Sequence, residues 1–152
     1  MDKQLVLDEL TRFYKEVDIQ VENPMTSVEA IQKYHSWLLE KDLIRFVMPG
    51  CRLFAYISYY RLSFEQLGRM VCHEDLDVYN EDLEHGPICW VTDVTIDQTC
   101  KEPWVPMELK RQFFEKNHDA TYFIGHAIYK KRSQPIRVFK ATEFMKRYGK
   151  GL

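Results

Sequence analysis

The chain has 152 residues, 45% of them hydrophobic and 14% aromatic, with a formal net charge of −2. That length supports one real core and predicts a single domain over residues 1–152, while the near-neutral charge gives no overall pull toward nucleic acid or anionic lipid, so neither is expected as a partner. Cys51, Cys72, Cys89 and Cys100 show no CxxC spacing, which reads as reduced thiols in a chain too large to need disulfides and predicts a cytoplasmic protein.

The first stretch, MDKQLVLDELTRFYKEVD, brings Leu5, Leu7, Leu10, Phe13, Tyr14 and Val17 near helical spacing. It predicts a helix from about Asp2 to Val17, studded with acids and unlike a secretory leader. No apolar run in the chain approaches the roughly 20 residues that a bilayer demands, so no membrane association is expected. After VENP, Thr26 and Glu29 make a T-x-x-E capping box, with Thr26 as the cap. Val28, Ile31, His35, Leu38 and Leu39 then fall on one face of a second helix.

From Leu43 to Tyr60 the period changes to two, and DLIRFVMPGCRLFAYISYY reads as two strands joined by a tight turn at Pro49 and Gly50. Ser63 and Gln66 repeat the capping-box spacing and start a short helix through LGRMV. HEDLDVYNEDLEHG follows with six acids, a density that reads as a solvated loop. As a calcium loop it fails, because Tyr79 stands where an oxygen ligand is needed and Asn80 where a glycine is needed.

GPICWVTDVTID, residues 86–97, is apolar on both faces and predicts a central strand over 87–96, with Trp90 and Val94 buried beneath a helix. Pro103 and Pro106 end that segment, and Pro106 suits the first turn of a helix through MELKRQFFEKN. ATYFIGHAIY and PIRVFKA predict two closing strands separated by the turn KKRSQ. Helices flanking a mostly antiparallel sheet make the class α+β, or α/β in looser terms.

Within the central strand Asp93 is out of place. An ionised carboxylate buried without partners costs several kcal/mol or is driven to a higher pKa. Asp93 therefore marks either a site or a strand end whose carboxylate is met by Thr95 or loop amides. Plain alternation places it with Cys89, Val91 and Thr95. Other chemistries lack a pattern. His35, His73, His85, His118 and His126 show neither HExxH nor paired Cys/His spacing, and GxSxG, the P-loop and the Rossmann fingerprint are absent.

The element order is that of a GNAT-like core. RLFAYISYYRLSFEQLGRMV, an acidic spacer and EHGPICWVTDVTI together resemble the toxin-activating lysine acyltransferases, whose strand pair ends in a similar aromatic, small, aromatic and LS pattern before a strand carrying aromatic-x-x-Asp. YFIGHAIYKKRSQPIRVFKATEF extends the resemblance, which covers roughly residues 43–144. It implies that Asp93 is catalytic and that the acyl donor is acyl carrier protein. The family's catalytic histidine, just after a proline near the amino terminus, has no counterpart in NPMTSVEA, where Thr26 stands. The remaining candidate base is His35, whose spacing with Ile31 and Leu39 also fits a core-facing histidine.

The turn DQTCKEPWVP has no glycine and two prolines, unlike the Gly-rich turn on which GNAT enzymes seat a coenzyme A pyrophosphate, so no acetyl-CoA binding and no cofactor is expected. Two readings result. In the favoured one the chain is a non-catalytic or degenerate GNAT-like protein, of the kind a phage or mobile element would keep as an interaction or structural module for a protein partner. In the alternative it is a lysine acyltransferase fed by acyl carrier protein, with Asp93 and His35 as its catalytic residues.

Overall fold

A computed structural model describes residues 2–16, 25–72, 76–125 and 137–149. Helix α1, Lys3–Glu16, and helix α2, Val28–Glu40, precede strands β1, Ile44–Val47, and β2, Ala55–Leu62. Helix α3, Phe64–Val71, and a single 3-10 turn at Val78–Asn80 lead to strand β3, Ile88–Ile96. Helix α4, Trp104–Lys116, strand β4, Tyr122–Gly125, strand β5, Arg137–Lys140, and helix α5, Ala141–Tyr148, follow. The class is α+β, as the sequence predicts.

The strands form one sheet in the order β1-β2-β3-β4-β5. Every pairing is antiparallel except β3 with β4, which run parallel through Ile88, Cys89 and Trp90 opposite Tyr122, Phe123 and Ile124. All eight residues of β2 are buried, so this strand is covered on both faces, which its aromatic and β-branched residues suit.

One irregularity decides which side chains meet. Ser58 pairs with Asp93 but Tyr59 pairs with Val91, which leaves Thr92 as the extra residue of a β-bulge. Residues that pair across antiparallel strands share a face, and neighbours along a strand alternate. Tyr56, Ser58 and Tyr60 therefore share one face with Trp90, Asp93 and Thr95. Ile57, Tyr59 and Arg61 share the other with Cys89, Val91 and Val94. The alternation expected from sequence is thus half right: Thr95 lies with Asp93, but the bulge sends Cys89 and Val91 to the opposite side. It likewise parts Trp90, which is buried, from Val94, which is half-buried.

Helices α1 and α2 cover the Asp93 face, with Phe13 edge-on to Tyr56 at 5.6 Å between ring centroids and Trp37 edge-on to Tyr60 at 6.0 Å. Helix α4 covers the other, with Phe113 at 5.3 Å from Tyr59. Helix α5 adds Phe144, stacked on Phe123 at 4.5 Å.

Three local expectations change. Helix α2 is capped by Ser27, whose hydroxyl accepts from the Ala30 amide at 3.2 Å, so Thr26 is not the cap. A serine two residues after Met25 offers the same spacing to the first helical amides, and the chain uses it. β1 and β2 are joined by residues 48–54 rather than a tight turn, although Gly50 does take a positive φ of 71°. Helix α5, Ala141–Tyr148, begins at the last residue of PIRVFKA and has no counterpart in the sequence reading. The Ser63–Gln66 capping box is formed as expected. Most of the predicted strand ATYFIGHAIY beyond Gly125, the KKRSQ turn and His126 lie outside the described residues, as does His73.

The acidic segment is tied down as well as solvated. Leu83 is buried, its carbonyl accepts from the Arg61 amide at 2.7 Å, and the Gly86 amide donates to the Arg61 carbonyl at 3.2 Å. Among the described residues no helix is long and apolar enough to cross a membrane.

Candidate active site

Asp93 is half-buried just beyond the bulge. The Tyr56 hydroxyl donates to its Oδ2, and the Thr95 hydroxyl donates to its Oδ1 at 3.3 Å. Its burial is thereby compensated in the way buried carboxylates require. Beside it, the Ser58 and Thr92 hydroxyls are bonded at 2.7 Å, a contact the bulge makes possible. Tyr34 of α2 and Tyr60 of β2 share a hydroxyl–hydroxyl bond of 2.6 Å. Burial holds the Tyr34 phenol well above its usual range and pushes Tyr60 up to about 12. Both stay neutral near pH 7 and serve as hydrogen-bonding groups, not anions.

His35 is 1% exposed. The imidazole faces the core as its spacing predicts, ringed by Tyr14 at 5.8 Å, Tyr34 at 6.0 Å and Tyr56 at 6.3 Å between centroids. The two residues singled out from sequence, Asp93 and His35, therefore meet the same side chain: Tyr56 bonds the carboxylate with its hydroxyl and packs against the imidazole with its ring. The sequence reading missed Tyr56, Ser58, Tyr34, Tyr60 and Thr92. The run AYISYYRL carries a signal for three of them, since hydroxyl-bearing residues at 56, 58 and 60 recur at the period of one strand face. Thr92 joins them only through the bulge.

Among the described residues, β3 runs on through 91–96 past Trp90, its last partner to β4, and Asp93 lies on that extension. The loop that follows is built around another acid. Asp97 is 4% exposed; its Oδ1 accepts from the Thr99 amide at 2.9 Å and the Thr99 hydroxyl at 2.7 Å, and its Oδ2 lies 3.5 Å from Arg52. The Thr99 hydroxyl and amide, with Arg52, hold its carboxyl below the usual carboxylate range. The Cys100 amide is taken by the Asp97 carbonyl at 3.0 Å. Helix α4 then begins at Pro103 without a side-chain cap. Two of the loop's amides, those of Thr99 and Cys100, are thus taken by Asp97, and Pro103 and Pro106 have none to offer an anion.

No protein-family model matches the chain, and no curated protein matches it. Among solved structures, the GphF GNAT-like decarboxylase in complex with isobutyryl-CoA is similar at a TM-score of 0.53 and 7% identity, over 82% of this chain and 62% of that one. The fold is GNAT-like. A ribosomal-protein-alanine N-acetyltransferase from Brucella melitensis is similar at a TM-score of 0.45 and 10% identity, over 80% of this chain and 66% of that one. The chain spans less than two thirds of either neighbour's length. In this GNAT-like frame, Asp93 and Tyr56 occupy the sheet face under α1 and α2.

Proposed function

We propose that this GNAT-like chain is a lysine acyltransferase that takes its acyl group from acyl carrier protein and uses Asp93 as proton acceptor. The observation that carries the reading is the setting of Asp93: a half-buried carboxylate inside β3 that accepts from the Tyr56 and Thr95 hydroxyls and lies on the sheet face beneath α1 and α2. In the transfer, the lysine amine attacks the thioester carbonyl, the C–N bond forms and the C–S bond to the carrier breaks. The nitrogen that attacks becomes far more acidic than a free lysine ammonium, so a carboxylate can accept its proton while the departing thiolate takes one up. His35, enclosed by Tyr14, Tyr34 and Tyr56, acts through the Tyr56 ring and not on the substrate.

Carrier protein is favoured over coenzyme A as donor because the loop after β3 gives its Thr99 and Cys100 amides to Asp97, has no amide hydrogen at Pro103 or Pro106, and holds a buried carboxylate that would repel a pyrophosphate. Coenzyme A remains the rival donor, since the GphF neighbour was solved with isobutyryl-CoA. A second reading, the non-catalytic interaction module, is favoured by one observation: His35 is 1% exposed and packed as a core residue.

The test is to incubate the purified chain with a fatty-acylated carrier protein and a lysine-containing peptide, with isobutyryl-CoA in a parallel reaction. Loss of the carrier thioester with a matching mass gain on the peptide amine is the expected result. Turnover with the coenzyme A thioester alone would overturn the donor assignment. No turnover with either would leave the interaction module as the reading.

A further inference from the structure

Three tyrosines on β2 are buried, and their hydroxyls have different fates. Tyr59, on the α4 face, reaches the Asp42 carbonyl at 3.3 Å, and Tyr60 meets the Tyr34 hydroxyl. Tyr56 instead donates its hydroxyl to a carboxylate, that of Asp93. Its ring is 1% exposed and fills the core between Phe13 and His35, work that a phenylalanine would do equally well. The hydroxyl needs a separate explanation, because a buried phenol without a partner is costly, and Asp93 supplies one.

We infer that Tyr56 is the positioning residue of this site: by donating to Asp93 Oδ2 it fixes the carboxylate's orientation and keeps it ionised, and so sets the pH below which the site stops accepting protons. The physical basis is that a hydrogen bond donated to the charged form of an acid stabilises that form. Among the described residues, the titratable groups around Asp93 include Tyr56 from β2, Tyr34 from α2, and, behind the Tyr56 ring, His35 from α2 and Tyr14 from α1. Thr95 adds a neutral donor at 3.3 Å. The kinetic consequence rests on Asp93 being the proton acceptor proposed above, whereas the carboxylate's titration does not.

The experiment follows the Asp93 side-chain carboxyl by carbon NMR across acid pH in the unsubstituted protein, in Tyr56→Phe and in Tyr59→Phe, with the low-pH limb of acyl transfer measured on the same samples. In Tyr56→Phe the Asp93 titration moves to higher pH, on the order of one unit for the loss of a charge-assisted hydrogen bond, and the low-pH limb of the rate moves with it. Tyr59→Phe, on the opposite face, leaves both in place. Should Tyr56→Phe fail to fold, 3-fluorotyrosine at position 56 keeps the ring and makes the phenol a stronger donor, and the Asp93 titration then moves to lower pH. An Asp93 titration that neither change displaces overturns the inference. A carboxyl that shifts in a protein without turnover confirms the role of Tyr56 toward Asp93 while refuting the acyltransferase reading.

Discussion

A phenol donating to a carboxylate inside a protein satisfies two polar groups with one bond, and Tyr56 does this for Asp93. Asp93 was legible in the sequence because an acid within an apolar strand demands an account. Its partner was not, since nothing in AYISYYRL says which of several tyrosines faces position 93 until the register is known. Thr26 shows the opposite failure, a convincing pattern placed one residue early. Ser27→Ala is expected to cost about 1 kcal/mol in a urea melt, the usual loss for an N-cap. Thr26→Ala, exposed and outside the cap, is expected to change stability by less than about 0.5 kcal/mol.

Asp97 carries a prediction with a pH sign. Thr99 holds its folded carboxyl below the usual range, so the carboxyl binds protons less readily in the folded chain than in the unfolded one. The stability it contributes is present above the unfolded carboxylate range and is lost as pH falls through the folded value. Asp97→Asn should therefore lower stability at pH 7, by about 1–3 kcal/mol for a buried, doubly hydrogen-bonded acceptor. It should also flatten the decline in stability between neutral pH and pH values below about 4. Chemical denaturation at both pH values measures this, and an equal loss at both would contradict it.

At the scale of elements, periodicity and caps located α1, α2, the β1–β2 pair, α3, β3 and α4, because each carries a repeat or a stop signal in its own residues. The bulge at Thr92 has no such signal. It arises from pairing with β2, and it reassigns the faces of half of β3. Helix α5 was missed because it begins directly at the end of β5, at Ala141, with no side-chain cap to announce it. Glycine at 86 has a structural cause that only the packing shows: a Cβ there would lie 2.0 Å from the carbonyl carbon and oxygen of Leu62 and 2.6 Å from the Ser63 amide nitrogen. Backbone cannot yield as a flexible side chain can. Gly86→Ala should push the acidic segment off the end of β2, lengthen the Arg61 Nε bond to the Gly86 carbonyl, now 2.8 Å, and cost about 3 kcal/mol or more. A thermal melt is the check, and a melting temperature within a degree of the unsubstituted protein would show that the close approach is avoidable.

For the whole molecule, the order of helices and strands carried the GNAT-like fold, since few topologies accommodate that alternation and the parallel pairing of β3 with β4. Function is a property of the site grafted on the fold, and a fold shared at 7% identity assigns no residue its role. The central claim is that Asp93 accepts the proton of a lysine amine during acyl transfer. Single-turnover transfer from acylated carrier protein to a lysine-containing peptide, compared between the unsubstituted chain and Asp93→Asn, tests it most directly. Asparagine keeps the size of the side chain and can still accept from Tyr56, so the fold is retained. The account predicts a rate at least about a hundredfold lower for Asp93→Asn, the usual share of a general base, with unchanged carrier binding. Equal rates in the two proteins would contradict it.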